Sequence, residues 1–304
     1  MLLRDLGESG LIQRIRAQFQ NSGVVLGIGD DTAVLDIPAG HSVLFCSDLL
    51  AEDSHFIRGL HPADSIGYKA VAVNVSDIGA MGGVPMHFVI SLAAPGDLDL
   101  EWVDGFYSGI ARACREFKVS MVGGDSSTAK SIFVDVAMVG RVKSGCAVRR
   151  SGAKPGDKIY VTGALGGSAR GLQLLRRGIH DDPAVQRHLY PQPRHEIGAA
   201  VATKAHSMID VSDGLSTDLG HILTESKVSA RIFKDKIPSA PDASAAEVLH
   251  GGEEYELILT SDSSLDELAL TQIGEIIPSA GANRIFLVDG MSESVLEPKG
   301  WQHF

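Results

Sequence analysis

The sequence predicts an α/β protein of two domains, and three observations support this fold class. The chain has 304 residues, 44% of them hydrophobic and 21% charged, which is typical of one large or two medium globular domains. Apolar patterns typical of helices and of strands alternate along it. A polar passage rich in glycine and proline, "RRSGAKPGDKIYVTG" at residues 149–163, interrupts them near the middle. We therefore expect domains over residues 1–148 and 149–304.

The first domain is expected to contain three helices and four strands. The helical pattern is clear after Pro62, where Ile66, Ala70, Val73 and Met81 recur at helical spacing. The complete prediction places helices over 8–20, 63–81 and 99–117, and strands over 41–47, 86–94, 119–122 and 132–142.

The second domain is expected to alternate strands and helices. Strands are predicted over 158–162, 208–211, 228–233 and 255–260, and helices over 165–177 and 215–225. The glycine-rich segment "GALGGSARG" at residues 163–171 joins the first of these strands to the first helix. It is either an anion site built from free backbone amides or a tight connection, and the residues leave both interpretations open.

Composition excludes several classes of function. The net charge of −11 is opposite to that of a general nucleic-acid binder, so an anionic ligand would need divalent cations. No apolar run reaches the roughly 20 residues that span a bilayer, and the N-terminal segment lacks the pattern of a signal peptide. Cys46, Cys114 and Cys146 form neither a disulfide framework nor a zinc motif. We expect a cytoplasmic protein that binds neither membranes nor nucleic acid.

Aspartates beside serine or glycine recur along the chain, and we expect Asp48 and Asp125 at the ends of strands. Each aspartate alone is typical of a turn or a helix cap. Several converging carboxylates would repel one another without a cation, and carboxylate oxygens are the ligands that Mg²⁺ prefers. Together they favour a metal–phosphate site. The seven are Asp30, Asp31, Asp48, Asp77, Asp125, Asp210 and Asp213.

Familiar nucleotide and nucleophile motifs are missing from the sequence. The chain has neither a G-x-x-x-x-G-K-[ST] phosphate loop nor G-x-G-x-x-G. No Ser-His-Asp or Cys-His set is recognisable. We therefore expect catalysis by positioning and metal ions, without a catalytic nucleophile or general base.

Seven segments follow one another in a recognisable order: "GIGDD", "SD" with "HF" after it, "YKAVAVNVSDIGAMGGVP", "GGDSS", "RSGAKPGDKIYVTG", "IDVSDGLSTDLGHI" and "GGEEYEL". Together they resemble the thiamine-monophosphate kinase family, within the superfamily of aminoimidazole ribonucleotide synthetase. The resemblance implies the two-domain architecture of that superfamily, with an α+β N-terminal domain that pairs in a homodimer and an α/β C-terminal domain. It also implies ATP-dependent phosphorylation of thiamine phosphate to thiamine diphosphate with several Mg²⁺ ions.

The same resemblance implies roles for individual residues. Residues that match metal ligands of the family are Asp31, Cys46, Ser47, Asp48, Asp77, Asp125, Asp210 and Asp213. Residues that match nucleotide contacts are Tyr107, Gly124, Asp125, Arg150 and Ser212. Residues that match the thiamine phosphate site are His55, Glu253 and Trp301.

Two positions depart from the pattern of the family. Cys46 stands where serine or threonine is usual, so a metal contact there must come from its backbone carbonyl. Glu254 stands where aspartate is usual and would add a methylene beside the substrate. Trp301 also fits a hydrophobic latch for the tail. Aminoimidazole ribonucleotide synthetase is the runner-up enzyme, and a regulator without catalysis is disfavoured because nearly all the ligands are retained.

Overall fold

The structure is a computed structural model in which residues 2–18, 25, 35–265, 268 and 270–301 are described. The chain divides into two compact units, Met1–Ile78 with Gly83–Gly145, and Gly79–Gly82 with Cys146–Phe304. The expected boundary after residue 148 lies close to this division, whereas the assignment of Gly79–Gly82 to the second unit was not expected. Within the described ranges, no helix is both long and apolar enough to cross a membrane.

Among its described residues, the first unit has a four-stranded sheet and three helices. Its strands lie in the order β1-β4-β2-β3, with β2 and β3 parallel and the other neighbours antiparallel. The helices are α1 (Leu3–Gln18), α2 (Ala63–Ala80) and α3 (Leu100–Phe117), and the strands are β1 (His41–Ala51), β2 (Val84–Ala94), β3 (Ser120–Thr128) and β4 (Phe133–Lys143).

Helices α2 and α3 cross at very short range because glycine lines both sides of the contact. A Cβ atom on Gly67 would lie 2.0 Å from the carbonyl oxygen of Phe106, and one on Gly109 would lie 1.8 Å from that of Asp64. The buried face of the sheet supplies Val134, Val136 and Met138 of β4, all with 0% exposure. Burying these apolar side chains supplies most of the driving force for folding the unit.

The opposite face of β1 carries large apolar side chains that the described part of the unit leaves exposed. Val43, Phe45 and Leu49 alternate along the strand, and they are 52%, 70% and 49% exposed. Alternate residues of a strand point to opposite faces, so these three share one face. Cys46 points to the other face, where its Sγ lies 3.5 Å from Oδ1 of Asn74 in α2.

The part of the second unit that the structure describes has a mixed seven-stranded sheet and five α-helices. The strand order is β11-β10-β7-β9-β5-β8-β6, in which β7 and β10 pair in parallel and the other described neighbours are antiparallel. The strands are β5 (Lys158–Val161), β6 (Ser207–Asp210), β7 (Ser229–Phe233), β8 (Leu257–Ser261), β9 (Thr271–Ile277), β10 (Ile285–Asp289) and β11 (Ser292–Leu296). The helices are α4 (Gly167–Arg176), α5 (Pro183–Leu189), α6 (His195–Val201), α7 (Leu215–Ser226) and α8 (Ala245–His250).

The predicted positions of Asp48 and Asp125 at strand ends are wrong. Strand β1 continues beyond Ser47 to Ala51, and β3 continues through Gly123 and Asp125 to Thr128. Both aspartates therefore lie inside the sheet. Pairing with β4 and β2 overrides the low strand preference of glycine and aspartate.

Candidate active site

Asp48 of β1 and Asp77 of α2 meet in the first unit. Their carboxyl groups are close enough for Asp77 to act directly on the pKa of Asp48. Burial raises the pKa of Asp48, and the nearby charge of Asp135 adds to the rise, whereas the contacts with Asp77 and His55 oppose it. A close contact between two carboxyl groups requires a shared proton or a cation in its place. The structure therefore brings together two of the predicted metal ligands.

Further polar side chains lie next to one another on neighbouring strands of the same sheet. The Ser47 hydroxyl donates a hydrogen bond to Oδ1 of Asp135 at 2.7 Å. The strand register places Asp135 opposite Ser91, and Ser91 opposite Asp125, so the three form one row across β4, β2 and β3. Asp135 was missed by the sequence analysis. The signal available there was an aspartate alternating with buried valines in "FVDVAMV".

His55 lies beside this acidic group. Its Nδ1 accepts the backbone N–H of Ala51 at 3.0 Å, so the neutral ring carries its proton on Nε2. When the ring is protonated, its positive charge lowers the pKa of Asp48. Within the first unit, His55, which was matched to the thiamine phosphate site, therefore lies near Asp48, which was matched to a metal ligand.

Three residues matched to nucleotide contacts are divided between the two units. Tyr107 is 3% exposed and packs edge-on against Phe106, and burial raises the pKa of its hydroxyl. A Cβ on Gly124 would lie 2.3 Å from the carbonyl oxygen of Ile90, so packing alone explains this glycine. Arg150 is an exposed loop residue of the second unit. Asp30 and Asp31 lie outside the described residues.

The second unit gathers its aspartates at the loop between β6 and α7. Asp210 is the last residue of β6, and Ser212 and Asp213 follow it. The buried side chain of Asp218 in α7 accepts the backbone N–H groups of Asp213 at 3.0 Å and Gly214 at 2.9 Å. Burial, with the charges of Asp210 and Asp213, raises the pKa of Asp218 to about 8. Asp218 was not predicted, although an aspartate in the first turn of a helix is a common signal for such a role.

This donor set suits a hard divalent cation. Ligand atoms of Asp213, Asp218 and His221 lie within 4.8 Å of one another. Carboxylate oxygens predominate around the loop, and the charges of Asp210 and Asp213 add to the effect of burial in raising the pKa of Asp218. Mg²⁺ relieves such an excess and prefers oxygen ligands. The residues present therefore fit the predicted metal.

Two of the residues matched to the thiamine phosphate site are hydrogen-bonded to this same loop. The backbone N–H of Glu253 donates to the carbonyl oxygen of Ser212 at 2.7 Å, and that of Trp301 donates to the carbonyl oxygen of Asp213 at 3.1 Å. Glu253 has a left-handed backbone with φ of 60°, a strained conformation that is often kept for function. The Trp301 residue is 52% exposed. Its backbone N–H attaches this end of the chain to the loop.

The glycine-rich turn before α4 binds a carboxyl group of the protein itself, that of Glu254. Oε1 of Glu254 accepts the backbone N–H of Ser168 at 2.9 Å. Its Oε2 lies 3.0 Å from Nε of Arg187, without the alignment of a hydrogen bond. The side chain of Glu254 is 0% exposed. Of the two interpretations left open for residues 163–171, this contact favours the tight connection, and Glu254 points to α4 instead of adding bulk beside a substrate.

A buried charge network continues from this turn. Glu256 is 1% exposed, and its carboxylate accepts hydrogen bonds from Arg187, from Arg194 through two nitrogens, and from the hydroxyl of Thr162. Full hydrogen bonding is what allows such charges to be buried. This network fixes the end of the "GGEEYEL" segment against α5 and β5.

Ser168, His188 and Glu253 superficially resemble a catalytic triad. The Ser168 hydroxyl lies 3.0 Å from Nδ1 of His188, and Oε2 of Glu253 lies 3.3 Å from the same nitrogen. A proton relay needs the two partners on different ring nitrogens. This set therefore holds Glu253 in place and does not activate Ser168.

Comparison with known proteins decides the family of this chain. The N-terminal domain of AIR synthase related protein matches residues 29–142, and its C-terminal domain matches residues 154–278. The chain is 36% identical over 321 aligned positions to thiamine-monophosphate kinase of Aquifex aeolicus (strain VF5), covering 100% of both chains. The chain belongs to the thiamine-monophosphate kinase family. It is therefore an enzyme, a kinase of this family.

Solved structures of the thiamine-monophosphate kinase family share this fold. That of Stenotrophomonas maltophilia K279a has a TM-score of 0.81 and 32% identity, covering 90% of this chain and 95% of its own. The structure of AaThiL complexed with AMPPCP and TMP has a TM-score of 0.80 and 35% identity, covering 100% of this chain and 99% of its own. The two-domain α/β architecture expected from the sequence is confirmed.

Proposed function

We propose that the chain transfers the terminal phosphoryl group of ATP to the phosphate of thiamine phosphate, which yields thiamine diphosphate and ADP. The observation that carries this proposal is the loop Asp210–Gly214. It presents the residues matched to metal and nucleotide, and its carbonyl oxygens bind the backbones of both Glu253 and Trp301. The related structure complexed with AMPPCP and TMP supports the same pair of ligands.

Magnesium ions would be held by two sets of carboxylates. In the first unit these are Asp48, Asp77 and Asp125, with the Ser47 hydroxyl and the Cys46 carbonyl beside them. In the second unit they are Asp210 and Asp213, and we add Asp218 as the group that orients their loop. Mg²⁺ bound there would neutralise negative charge on the phosphoryl group during its transfer.

The protein itself has to position two anions for direct in-line transfer. An oxygen of the acceptor phosphate forms a bond to the terminal phosphorus of ATP while the bond to the ADP oxygen breaks. A phosphate oxygen is already ionised and needs no strong general base, which agrees with the role of His188 as a structural residue. Labelled ATP without acceptor should leave no label on the protein, and a trapped phosphoenzyme would refute direct transfer.

Recognition of the acceptor is assigned to Trp301, Glu253 and His55. Thiamine carries a cationic aromatic ring, and stacking and cation–π contacts suit an exposed indole. Trp301 is half exposed on an anchored backbone. The Glu253 carboxylate would add a polar contact in the second unit, and His55 is assigned to thiamine phosphate through the family match alone.

We also propose that the chain forms a homodimer in the cytoplasm. The exposed side chains of Val43, Phe45 and Leu49 share one face of β1 with Ser47, and a C₂ partner would cover this largely apolar face with its own. The three cysteines are free thiols, as is usual in a reducing compartment.

The identity of the product tests the proposed function. The enzyme is incubated with ATP and Mg²⁺ and with either thiamine phosphate or formylglycinamidine ribonucleotide, and the products are separated by chromatography. Thiamine diphosphate from the first mixture is the expected result. Product from the second mixture alone would assign the chain to the runner-up activity.

A further inference from the structure

The loop between β6 and α7 is held from two sides by segments distant in the sequence. Consecutive carbonyl oxygens, those of Ser212 and Asp213, accept the backbone N–H groups of Glu253 and Trp301 at 2.7 and 3.1 Å. Glu253 and Trp301, which we assign to thiamine phosphate, are thus hydrogen-bonded to Ser212 and Asp213, which we assign to the nucleotide and to metal. A displacement of the loop must change the positions of both Glu253 and Trp301.

Gly300 makes the contact of the tail with this loop possible. Its backbone N–H donates to Oγ1 of Thr217 at 3.1 Å. A Cβ atom at position 300 would lie 2.2 Å from the carbonyl oxygen of Asp213 and 2.5 Å from Oγ1 of Thr217. Real Cβ contacts are essentially never shorter than 3.0 Å. Any larger residue would therefore lift the tail, and Trp301 with it, off the Asp213 carbonyl.

The opposite side of the loop is equally tight. A Cβ on Gly252 would lie 2.5 Å from the carbonyl oxygen of Ser212. The buried carboxyl group of Asp218 holds the N–H groups of Asp213 and Gly214 from the helix side. With its amides and carbonyls engaged, the loop has few ways to move independently of the Glu253 and Trp301 segments.

We propose that Gly300 is a positioning residue that seats Trp301 on the Asp213 carbonyl, and that binding of thiamine phosphate is thereby coupled to binding of the Mg²⁺-nucleotide. This inference rests on the proposed function. A nucleotide bound at Ser212 and Asp213 orders the loop, and the ordered loop holds Trp301 in its binding position. Such coupling is reciprocal, so each ligand raises the affinity for the other by the same factor.

Titration calorimetry measures this factor directly. Thiamine phosphate is titrated into the protein with and without Mg²⁺ and a non-hydrolysable ATP analogue. The wild-type protein is expected to bind thiamine phosphate at least about fivefold more tightly in the presence of the analogue. In Gly300→Ala the ratio should fall to about one, because the tail no longer follows the loop, while the analogue alone binds as it does to wild type.

Gly220→Ala is the matched control. Gly220 lies in α7, and nothing outside its own helix lies within 4 Å of a Cβ added there. Alanine suits a helix interior, so this variant should keep the wild-type coupling. If Gly300→Ala also keeps it, or if the wild-type protein shows none, the proposal is overturned.

Thr217→Val is a second route to the same contact if Gly300→Ala does not fold. Valine keeps the shape of threonine but cannot accept the N–H of Gly300, and Thr217→Ser should restore the coupling because the hydroxyl returns. Equal coupling in the valine and serine variants would contradict the proposal. Failure of the proposed function is seen separately, as a wild-type protein that binds the analogue but neither binds nor phosphorylates thiamine phosphate.

Discussion

At the scale of single residues, the contact between Asp48 and Asp77 concentrates negative charge in a partly buried place. Burial and Asp135 both raise the pKa of Asp48, so the isolated cluster costs folding free energy. A cation at these carboxylates would remove that cost. The same negative charges that would bind a cation therefore lower the stability of the protein without one.

Asp77→Asn is expected to abolish nearly all turnover while leaving the folded state at least as stable as wild type. An asparagine can still hydrogen-bond to Asp48 but carries no charge, so repulsion falls while a metal ligand is weakened. Steady-state kinetics at millimolar Mg²⁺ and thermal unfolding measure the two effects. Asp97→Asn, an exposed turn position of the same unit, is the control. Near-normal turnover of Asp77→Asn would refute its role as a ligand.

Glu254 gives a prediction for the pH dependence of stability. Burial raises the pKa of this carboxyl group to about 7 from 4.5, although Arg187 and the α4 amides oppose the rise. The folded state therefore binds the proton more tightly than the unfolded state does. The resulting stabilisation is complete below about pH 4.5 and is lost as the pH rises through about 7.

Glu254→Gln should remove this dependence because glutamine mimics the protonated acid. Relative to wild type, the variant should gain free energy of unfolding between pH 5 and 8, by at most about 3 kcal/mol. Urea unfolding across this range measures the difference, with Glu293→Gln on the surface strand β11 as the control. A difference that does not change with pH would count against the assignment.

The carboxylates that we assign to metal ions follow a local sequence pattern, whereas the residues that orient them do not. Aspartates beside serine or glycine identify Asp48, Asp77 and Asp213 from local sequence alone. Asp135 and Asp218 act through long-range register and through a helix terminus, and neither has an unusual neighbour in the sequence. The role of Glu254 depends on Ser168 and Arg187, which no local pattern connects to it.

At the scale of elements, the exposed face of β1 is the feature that the first unit leaves unexplained. Val43, Phe45 and Leu49 would cost free energy in water, and a symmetric partner would bury them. The wild-type protein is expected to sediment at about twice the 32.2 kDa of the chain.

Phe45→Asp should shift the protein to the monomer, because a charge at the centre of the apolar face opposes its burial. Analytical ultracentrifugation at micromolar concentration measures the mass. Met291→Asp, at an exposed position between β10 and β11 of the second unit, should leave the mass unchanged. A wild-type monomer at that concentration would exclude the proposed homodimer.

Elements with strong periodicity were predicted closely, and the others were not. Helix α2 spans Ala63–Ala80 against an expected 63–81, and α3 spans Leu100–Phe117 against 99–117. Helices α5, α6 and α8 were missed because each has no more than seven residues, too few for a periodic signal. Strands β9 to β11 were also missed, and the side chains of β11 are mostly exposed, so pairing with β10 rather than burial defines it.

At the scale of the whole molecule, the order of the motifs identified the family, but the contacts between distant segments needed the structure. Gly300 and Asp213 are far apart in the sequence and touch in the fold. Arg187 and Arg194 reach Glu256 across a similar separation. Sequence patterns report local geometry, whereas these contacts arise only when the seven-stranded sheet has assembled.

The central claim is that the terminal phosphoryl group of ATP passes to thiamine phosphate. The most direct measurement uses ATP with ¹⁸O on its terminal phosphoryl oxygens and mass spectrometry of the thiamine diphosphate formed. We expect the label to be retained on the terminal phosphate of that product and to be absent when Asp77→Asn replaces wild type. Thiamine diphosphate without label, or no thiamine diphosphate from a folded wild-type protein supplied with ATP and Mg²⁺, would contradict the account.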